Sequence, residues 1–133
     1  NETINFNKDI RYIYISSYAC KIPLPNMSIY SSSKVIMDKI FESLKLEYGP
    51  GKTLTVYPGP MDTSFDDNAI VEKDSYIRIA KKKNAASIIS NKIYKSYKNN
   101  KDILEINPTI IKMTLFFKNL FPGIFFICLR FLK

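Results

Sequence analysis

Two short strand-like segments on either side of one long helical segment constrain the fold more than any other feature. Residues 11–15 and 53–57 are rich in β-branched and aromatic side chains and contain no Gly or Pro, which predicts two buried strands. Between them, residues 29–48 predict a helix that is capped by Ser28 and ends at Gly49. Its apolar stripe is formed by Ile36, Ile40 and Leu44, with Val35, Met37 and Phe41 beside them. A strand–helix–strand succession of this kind predicts a right-handed βαβ unit.

The chain continues with the same alternation. Residues 80–98 predict a second helix, and residues 103–106 predict a third strand. The apolar stripe of the second helix is formed by Ala85, Ile89, Ile93 and Tyr97. The fold class expected is therefore α/β, with three parallel strands and covering helices.

An apolar tail follows this α/β unit. We expect residues 1–108 to form the α/β domain and residues 109–133 to form a separate helical tail. The longest uncharged run of the tail, residues 119–129, is too short for a membrane span, which needs roughly 20 residues. Two short helices are predicted instead, either packed on the domain as a substrate cap or lying in a membrane interface.

The charge is distributed unevenly along the chain. Residues 1–74 carry eight Lys and Arg against ten Asp and Glu, whereas residues 75–133 carry twelve against two. The basic half indicates either a solvated lysine-rich face or contact with an anionic surface such as lipid headgroups. Nucleic acid is not expected as a partner, because no aromatic stacking platform or nucleic-acid motif accompanies the lysines. The lysines concerned are Lys81, Lys82, Lys83, Lys92, Lys95 and Lys98.

Cysteine and histidine usage argues against a metal site. The chain has two distant cysteines, Cys20 and Cys128, and no histidine, which excludes an ordinary Cys/His zinc site and predicts a reducing compartment. Asp62, Asp66 and Asp67 lack metal-ligand spacing and are interpreted as solvated loop carboxylates. No metal is predicted.

The residues with the clearest chemical potential follow the first strand. Tyr30 and Lys34 are four residues apart on the predicted helix, so their side chains share one face. A free phenol has a pKa of about 10 and a nearby ammonium lowers it, so the pair can exchange protons near neutral pH. The hydroxyl of Ser17 could hydrogen-bond the same substrate oxygen. These groups suit the interconversion of a carbonyl and an alcohol.

The Tyr-x-x-x-Lys spacing alone is weak, because it occurs four times in the chain. Only the first copy follows a strand that ends in Ser-Ser, with Ser17 thirteen residues before its Tyr. Only that copy is followed, after one helix and one strand, by Pro58-Gly59 and Thr63. In this combination the chain resembles the C-terminal half of the short-chain dehydrogenase/reductase family, which has a Rossmann-type fold. The clear resemblance covers residues 10–65.

The resemblance implies roles for individual residues. Tyr30 would be the catalytic acid/base, and Lys34 would favour its phenolate and hold the nicotinamide ribose. Ser17 would orient the substrate carbonyl, with Ser16 as the rival for that role. Pro58, Gly59 and Thr63 would line the nicotinamide pocket. The cofactor implied is NAD or NADP, with NADP slightly favoured.

The family's cofactor-binding half is not represented in the sequence. None of the four glycines forms the Gly-rich turn that cradles the pyrophosphate. The chain also lacks an initiator Met, so we expect a piece of a longer protein that neither binds the dinucleotide tightly nor turns over alone. A full-length form is expected to be a homodimer.

The expected function is an NAD(P)-dependent oxidoreductase acting on a hydrophobic substrate such as a steroid or long-chain acyl compound. The resemblance implies such a substrate, because the family chooses its substrate largely through the C-terminal segment, which is apolar in this chain. The segment at residues 22–30 also looks similar to that of membrane-associated hydroxysteroid and 3-oxoacyl-CoA reductases. The expected location is cytoplasmic, with peripheral attachment through residues 109–133 to the endoplasmic reticulum or an inner membrane face. The alternative is a catalytically inactive truncated reductase that serves as a basic peripheral-membrane or interaction protein.

Overall fold

The computed structural model describes residues 10–62 and 84–131, which form an α/β unit followed by two helices. A short 3₁₀ turn, Tyr18–Cys20, lies between the first strand and the first helix. The strands are β1 (Tyr12–Ile15), β2 (Thr53–Tyr57), β3 (Met61–Asp62), β4 (Asn84–Ala85) and β5 (Ile103–Glu105). The helices are α1 (Ser28–Tyr48), α2 (Ala86–Lys98), α3 (Pro108–Leu120) and α4 (Pro122–Arg130).

A parallel sheet in the order β1-β2-β5 forms the centre of the described structure. Ile15 of β1 is in register with Val56 of β2, which is in turn opposite Leu104 of β5. Leu54 and Val56 of the central strand are completely buried. The predicted α/β fold with three parallel strands is therefore confirmed. A second parallel pair, β3 with β4, was not predicted, because strands of two residues show no periodicity.

Helix α1 packs on the sheet with a face that matches the predicted stripe only in part. Its buried residues are Asp38, Phe41 and Leu44, whereas Ile36 of the predicted stripe is 61% exposed. The helix also includes Ser28 as its first residue, and no side chain caps its N-terminus. The predicted stripe and the predicted cap are thus wrong in part. In the observed orientation of the helix, the acidic side chain of Asp38 faces Ser16 at the end of β1.

Polar contacts bind α2 and β5 to the rest of the unit. The guanidinium of Arg11 donates hydrogen bonds to the carbonyl oxygen of Tyr97 in the last turn of α2 and to that of Lys101, three residues beyond the helix. The carboxylate of Asp102 accepts a hydrogen bond of 2.7 Å from the Gly51 amide and lies 3.2 Å from the Lys45 ammonium. These contacts satisfy a carbonyl of the last helical turn and fix the start of β5.

The second helix is shorter in the structure than in the prediction. It starts at Ala86, while Ala85 belongs to β4, and the predicted start at residues 80–83 lies outside the described residues. Ile89 is buried as expected, but Tyr97 is 41% exposed and Ser96 is buried in its place.

The tail consists of two helices, as expected for this segment. Phe125 of α4 is buried, and its ring lies 6.4 Å from that of Phe117 of α3. No single helix in the described ranges is long and apolar enough to cross a membrane. The segments Ile111–Leu120 and Pro122–Arg130 meet that criterion only as a pair, bent by 119°. The domain boundary proposed at residue 108 stays a prediction.

Candidate active site

The structure brings Tyr30 and Lys34 together on the first turns of α1. The Lys34 Nζ lies 5.7 Å from the centroid of the Tyr30 ring and donates a 3.1 Å hydrogen bond to the Ile15 carbonyl oxygen at the end of β1. The pair Tyr94 and Lys98 on α2 has the same separation of 5.7 Å, with Tyr94 60% exposed. The spacing thus creates the pair in both helices, and the bond to a strand end distinguishes the first pair.

A second tyrosine, Tyr14 of β1, also contacts Lys34. Its hydroxyl donates to the Lys34 carbonyl oxygen at 3.3 Å, and its ring centroid lies 5.5 Å from the Lys34 Nζ. Burial raises the pKa of Tyr14, which keeps it a hydrogen-bond donor at neutral pH. The same ring packs against Phe41 at 5.0 Å. The Lys34 side chain therefore lies near the rings of both Tyr14 and Tyr30, a setting that the sequence analysis missed.

The two serines after β1 have different surroundings. The Ser16 hydroxyl is buried and donates to the carboxylate of Asp38. The Ser17 oxygen accepts a 3.2 Å hydrogen bond from the Ala19 amide, which starts the 3₁₀ turn. No acceptor within the described ranges takes the Ser17 hydroxyl proton, and the side chain is half-buried. Of the two rivals, Ser17 has the hydroxyl that remains available for a substrate oxygen.

Pro58 and Gly59 follow β2 at the same edge of the sheet. The Ser16 amide donates to the Val56 carbonyl oxygen at 2.8 Å, so the ends of β1 and β2 lie side by side. Pro58 is buried, and Gly59 has a φ of +68°, a conformation that favours glycine. Thr63, predicted to line the nicotinamide pocket, falls outside the described residues.

Tyr18 and Tyr57 form an aromatic cluster next to the carboxyl ends of the strands. The Tyr18 hydroxyl donates to the Ile106 carbonyl oxygen at 2.9 Å, and its ring stacks on Tyr57 with centroids 5.7 Å apart. Burial and the nearby Glu105 raise the pKa of Tyr18 to about 12. The Lys21 ammonium lies 3.7 Å from the Tyr57 ring centroid and 2.8 Å from the Glu105 carboxylate. The ends of β1, β2 and β5 are thereby connected.

Asp38 is the polar residue that the sequence analysis did not single out. Besides Ser16, its carboxylate accepts hydrogen bonds from the Tyr57 hydroxyl at 2.8 Å and the Cys20 thiol at 3.1 Å. Burial, together with the hydrogen bond to Asp38, raises the pKa of Cys20 to about 12 and also raises that of Tyr57. One signal was present in the sequence: an acidic residue one helical turn after Lys34 on a helix packed against a sheet.

The other candidate groups do not converge. Within the ranges that the structure describes, no three His, Cys, Asp or Glu side chains form a group that could hold a metal ion. Asp66 and Asp67 lie outside those ranges. Both cysteines are free, with Cys128 exposed on α4.

The fold and site together define a class of protein. A parallel sheet with a tyrosine–lysine helix against the carboxyl ends of its strands is part of a Rossmann-like α/β fold. A sequence profile described as short chain dehydrogenase matches residues 8–74, just over half of the chain. The chain belongs to the short-chain dehydrogenase family.

Two curated plant proteins show the same relationship. The chain is 36% identical over 64 residues to an 11-beta-hydroxysteroid dehydrogenase-like 3 of Arabidopsis thaliana, covering 47% of this chain and 21% of that protein. It is 40% identical over 50 residues to an 11-beta-hydroxysteroid dehydrogenase A of Sesamum indicum, covering 37% of this chain and 14% of that protein. The matched stretch is thus about a fifth or less of the length of these relatives.

Proposed function

We propose that this chain carries the catalytic residues of an NAD(P)-dependent oxidoreductase that interconverts a carbonyl and an alcohol. The observation that carries the proposal is the position of Lys34, bonded at 3.1 Å to the end of β1 and lying 5.7 Å from the Tyr30 ring. This places an ammonium next to a phenol at the edge of a parallel sheet, where ligands of open α/β folds bind. The match to the short chain dehydrogenase family supports the same activity.

The residues present fit the nicotinamide ribose end of a dinucleotide. The Lys34 ammonium has three N–H donors and uses one of them on the Ile15 carbonyl oxygen, which leaves two for ribose hydroxyls. Gly59 has no Cβ, and one added there would make only ordinary contacts of 3.9 Å with the Ile106 carbonyl oxygen and the Tyr18 ring. When bound, the reduced dinucleotide supplies the hydride that the carbonyl carbon accepts. NADP is favoured slightly over NAD, and the assay below compares the two.

The proton is handled by residues of this chain. In reduction, the Tyr30 hydroxyl donates its proton to the carbonyl oxygen as that oxygen becomes an alcohol. The Lys34 ammonium stabilises the phenolate that remains on Tyr30. The Ser17 hydroxyl donates a hydrogen bond to the same substrate oxygen and holds it in line. Oxidation of an alcohol uses the same groups in reverse, with the Tyr30 phenolate as the base.

The activity can be tested on protein expressed from its complete open reading frame. Oxidation of NADPH and NADH is followed at saturating concentration with a panel of aldehydes, ketones and steroid carbonyls. Tyr30→Phe is expected to lower kcat by a factor on the order of 10² or more, because the ring stays while the proton is lost. Tyr94→Phe is the matched control, since it removes the hydroxyl from the other tyrosine–lysine pair with 5.7 Å separation.

Two outcomes would count against the proposal. Equal rates for wild type and Tyr30→Phe would remove Tyr30 from the mechanism. No dinucleotide oxidation with any carbonyl would favour the alternative, an inactive truncated reductase that serves as a basic peripheral-membrane or interaction protein. We also expect no turnover by the 133-residue chain alone, because its sequence supplies no Gly-rich pyrophosphate turn.

A hydrophobic substrate is proposed from a cavity beside the loop at residues 21–27. The cavity has a volume of about 480 Å³, in the range of small-molecule sites. It lies between the loop that follows the 3₁₀ turn and the last helix, α4. Its lining residues are Pro23, Leu24, Pro25, Phe126, Ile127, Leu129 and Arg130. This lining favours a lipid, steroid or long-chain acyl carbonyl, and the names of the plant relatives point in the same direction.

The apolar tail supports a proposed contact with a membrane surface, and with it a peripheral location on a cytoplasmic membrane face. Met113 and Phe116 of α3 are 68% and 69% exposed, and residues 106–133 carry Lys and Arg but no acidic residue. Replacing both Met113 and Phe116 by Ser should reduce flotation with anionic vesicles several-fold. Ile88→Ser on α2, which removes an exposed apolar side chain outside the tail and outside α1, should not. Equal flotation of all three proteins would contradict this part of the proposal.

The outer face of α1 supports a proposed homodimer of the complete protein. Ile29 and Leu46 are each 87% exposed, and Ile36 is 61% exposed on the same helix. Burying such a surface against a second copy is favourable by about 25 cal/mol per Å². Ile36→Lys is expected to shift the sedimentation coefficient from that of a dimer to that of a monomer.

A further inference from the structure

The carboxylate of Asp38 joins three separate segments of the chain inside the protein. The residue is only 8% exposed, and both of its carboxylate oxygens accept hydrogen bonds. Its donors are the hydroxyl of Ser16 at the end of β1, the thiol of Cys20 in the 3₁₀ turn and the hydroxyl of Tyr57 at the end of β2. A buried acidic group of this kind is costly to disturb: Oδ1 accepts from Ser16, so loss of that hydroxyl leaves a desolvated oxygen without this donor, and Oδ2 accepts from both Tyr57 and Cys20, so loss of either weakens its solvation.

Each segment that Asp38 binds is the immediate neighbour of a candidate site residue. Ser16 precedes Ser17, and Tyr57 precedes Pro58-Gly59. Asp38 itself lies one helical turn after Lys34 on α1. The carboxylate thus binds the residue before Ser17 and the residue before Pro58-Gly59, and it belongs to the helix that carries Tyr30 and Lys34.

The cluster around Asp38 has no chemistry of its own at neutral pH. Burial keeps the Cys20 thiol protonated by raising its pKa to about 12, and its single proton is shared between the Asp38 carboxylate and the Ser17 carbonyl oxygen. The chain has no histidine that could activate a hydroxyl or a thiol. Ser16 is only 3% exposed, and its hydroxyl already donates a hydrogen bond to Asp38. The cluster is therefore placed to hold its neighbours rather than to react.

We propose that Asp38 is the positioning residue of this site, which fixes the strand ends carrying Ser17 and Pro58-Gly59 against the helix carrying Tyr30 and Lys34. This inference rests on the proposed oxidoreductase function for its kinetic consequence. The cluster has two arms, which are the hydrogen bonds to Asp38 from Ser16 and from Tyr57. The Ser16 arm holds the adjacent Ser17, and the Tyr57 arm holds the adjacent Pro58-Gly59 of the proposed nicotinamide pocket. A displacement of about 1 Å in either arm is enough to cost on the order of 10² in rate.

The kinetic test compares variants that each remove one arm, in protein expressed from its complete open reading frame. Ser16→Ala is expected to lower kcat at least roughly tenfold while the KM for the dinucleotide changes by less than about threefold. Tyr57→Phe is expected to raise the KM for the dinucleotide by more than it lowers kcat. Asp38→Asn, whose amide nitrogen cannot accept a hydrogen bond, is expected to show both changes.

Leu44→Ala is the matched control for loss of stability. Leu44 is 5% exposed on the same face of α1 but contacts no strand end through a polar bond. Its replacement should lower the folded fraction and the apparent kcat together, with every KM unchanged. If Ser16→Ala, Tyr57→Phe and Asp38→Asn follow this pattern too, Asp38 has only a structural role and the proposal is wrong.

A second readout does not depend on enzymatic activity. In a Cys128→Ser background, the rate at which iodoacetamide alkylates Cys20 reports whether the carboxylate holds the 3₁₀ turn. Asp38→Asn should raise this rate at least roughly tenfold, because the thiol loses an acceptor and its negative neighbour. Leu44→Ala should raise it less than about twofold. If the wild type oxidises no dinucleotide, the oxidoreductase function fails, and equal alkylation rates for the two variants would still overturn the positioning role by themselves.

Discussion

Tyr57→Phe removes a single hydroxyl group from the centre of the structure and leaves the aromatic ring in place. That hydroxyl donates a 2.8 Å hydrogen bond to the Asp38 carboxylate. The stacked neighbour Tyr18 provides a matched comparison, because its equally buried hydroxyl donates at 2.9 Å to a neutral acceptor, the Ile106 carbonyl oxygen. The two variants therefore differ mainly in the charge of the acceptor that loses its donor.

The expected magnitudes follow from that difference. A hydrogen bond to a charged group contributes about 1.5–3 kcal/mol, and one between neutral groups contributes about 0.5–1.5 kcal/mol. Tyr57→Phe should therefore lower the free energy of unfolding by about 1 kcal/mol more than Tyr18→Phe. Urea denaturation followed by circular dichroism measures both values, and the m-value should stay the same in both variants.

A double-mutant cycle separates the carboxylate from the rest of the environment. In an Asp38→Asn background, the cost of Tyr57→Phe should fall to that of an ordinary neutral hydrogen bond, whereas the cost of Tyr18→Phe should not change. Equal costs for the two single variants, or a Tyr57→Phe cost that is unaffected by Asp38→Asn, would refute the reasoning.

Four further outcomes are expected. Gly59→Ala should destabilise the protein by about 1–2 kcal/mol because of the positive φ, whereas Gly123→Ala in α4 should not, and equal thermal shifts would contradict this. Cys20 should be alkylated at pH 8 at least roughly tenfold more slowly than exposed Cys128, as judged by mass spectrometry. Because burial raises the pKa of Cys20 from 9.0 to about 12, the folded state retains a proton that the unfolded chain releases, so stability should fall as pH rises from about 9 to 12 and should not rise. Arg11→Lys should lower the unfolding free energy by about 1–2 kcal/mol, since one ammonium cannot reach both the Tyr97 and the Lys101 carbonyl oxygen, and an unchanged urea midpoint would argue against it.

The strands of the sheet were predictable because their own side chains specify them. Residues 53–57 are β-branched or aromatic at nearly every position, and in the structure all five are buried in the central strand. The orientation of α1 was not predictable in the same way. Its apolar residues surround much of the helix, so the periodicity did not distinguish the face at Ile36, which is exposed, from the face at Phe41, which is buried. Contacts with the sheet decide between such faces.

The candidate site was predictable only in its local part. Tyr30 and Lys34 meet because a helix places residues four apart on one face. In the sequence, Asp38 cannot be distinguished from a solvated carboxylate on the surface of a helix. Its role becomes visible only in the structure, where three donors from separate elements meet its carboxylate. No local pattern encodes contacts between residues that are about 20 positions apart.

The register of the sheet has a consequence for how the protein forms during synthesis. Tyr12 pairs with Thr53, and Thr55 pairs with Ile103, so β1, α1 and β2 leave the ribosome well before β5. At roughly 5–20 residues per second, the second edge of β2 stays open for about 2–10 s after the first edge has been covered. The βαβ unit can thus form while translation continues, with one side of its most buried strand exposed to other nascent chains. The speed of translation between residues 57 and 103 therefore sets how long that edge is available for incorrect pairing.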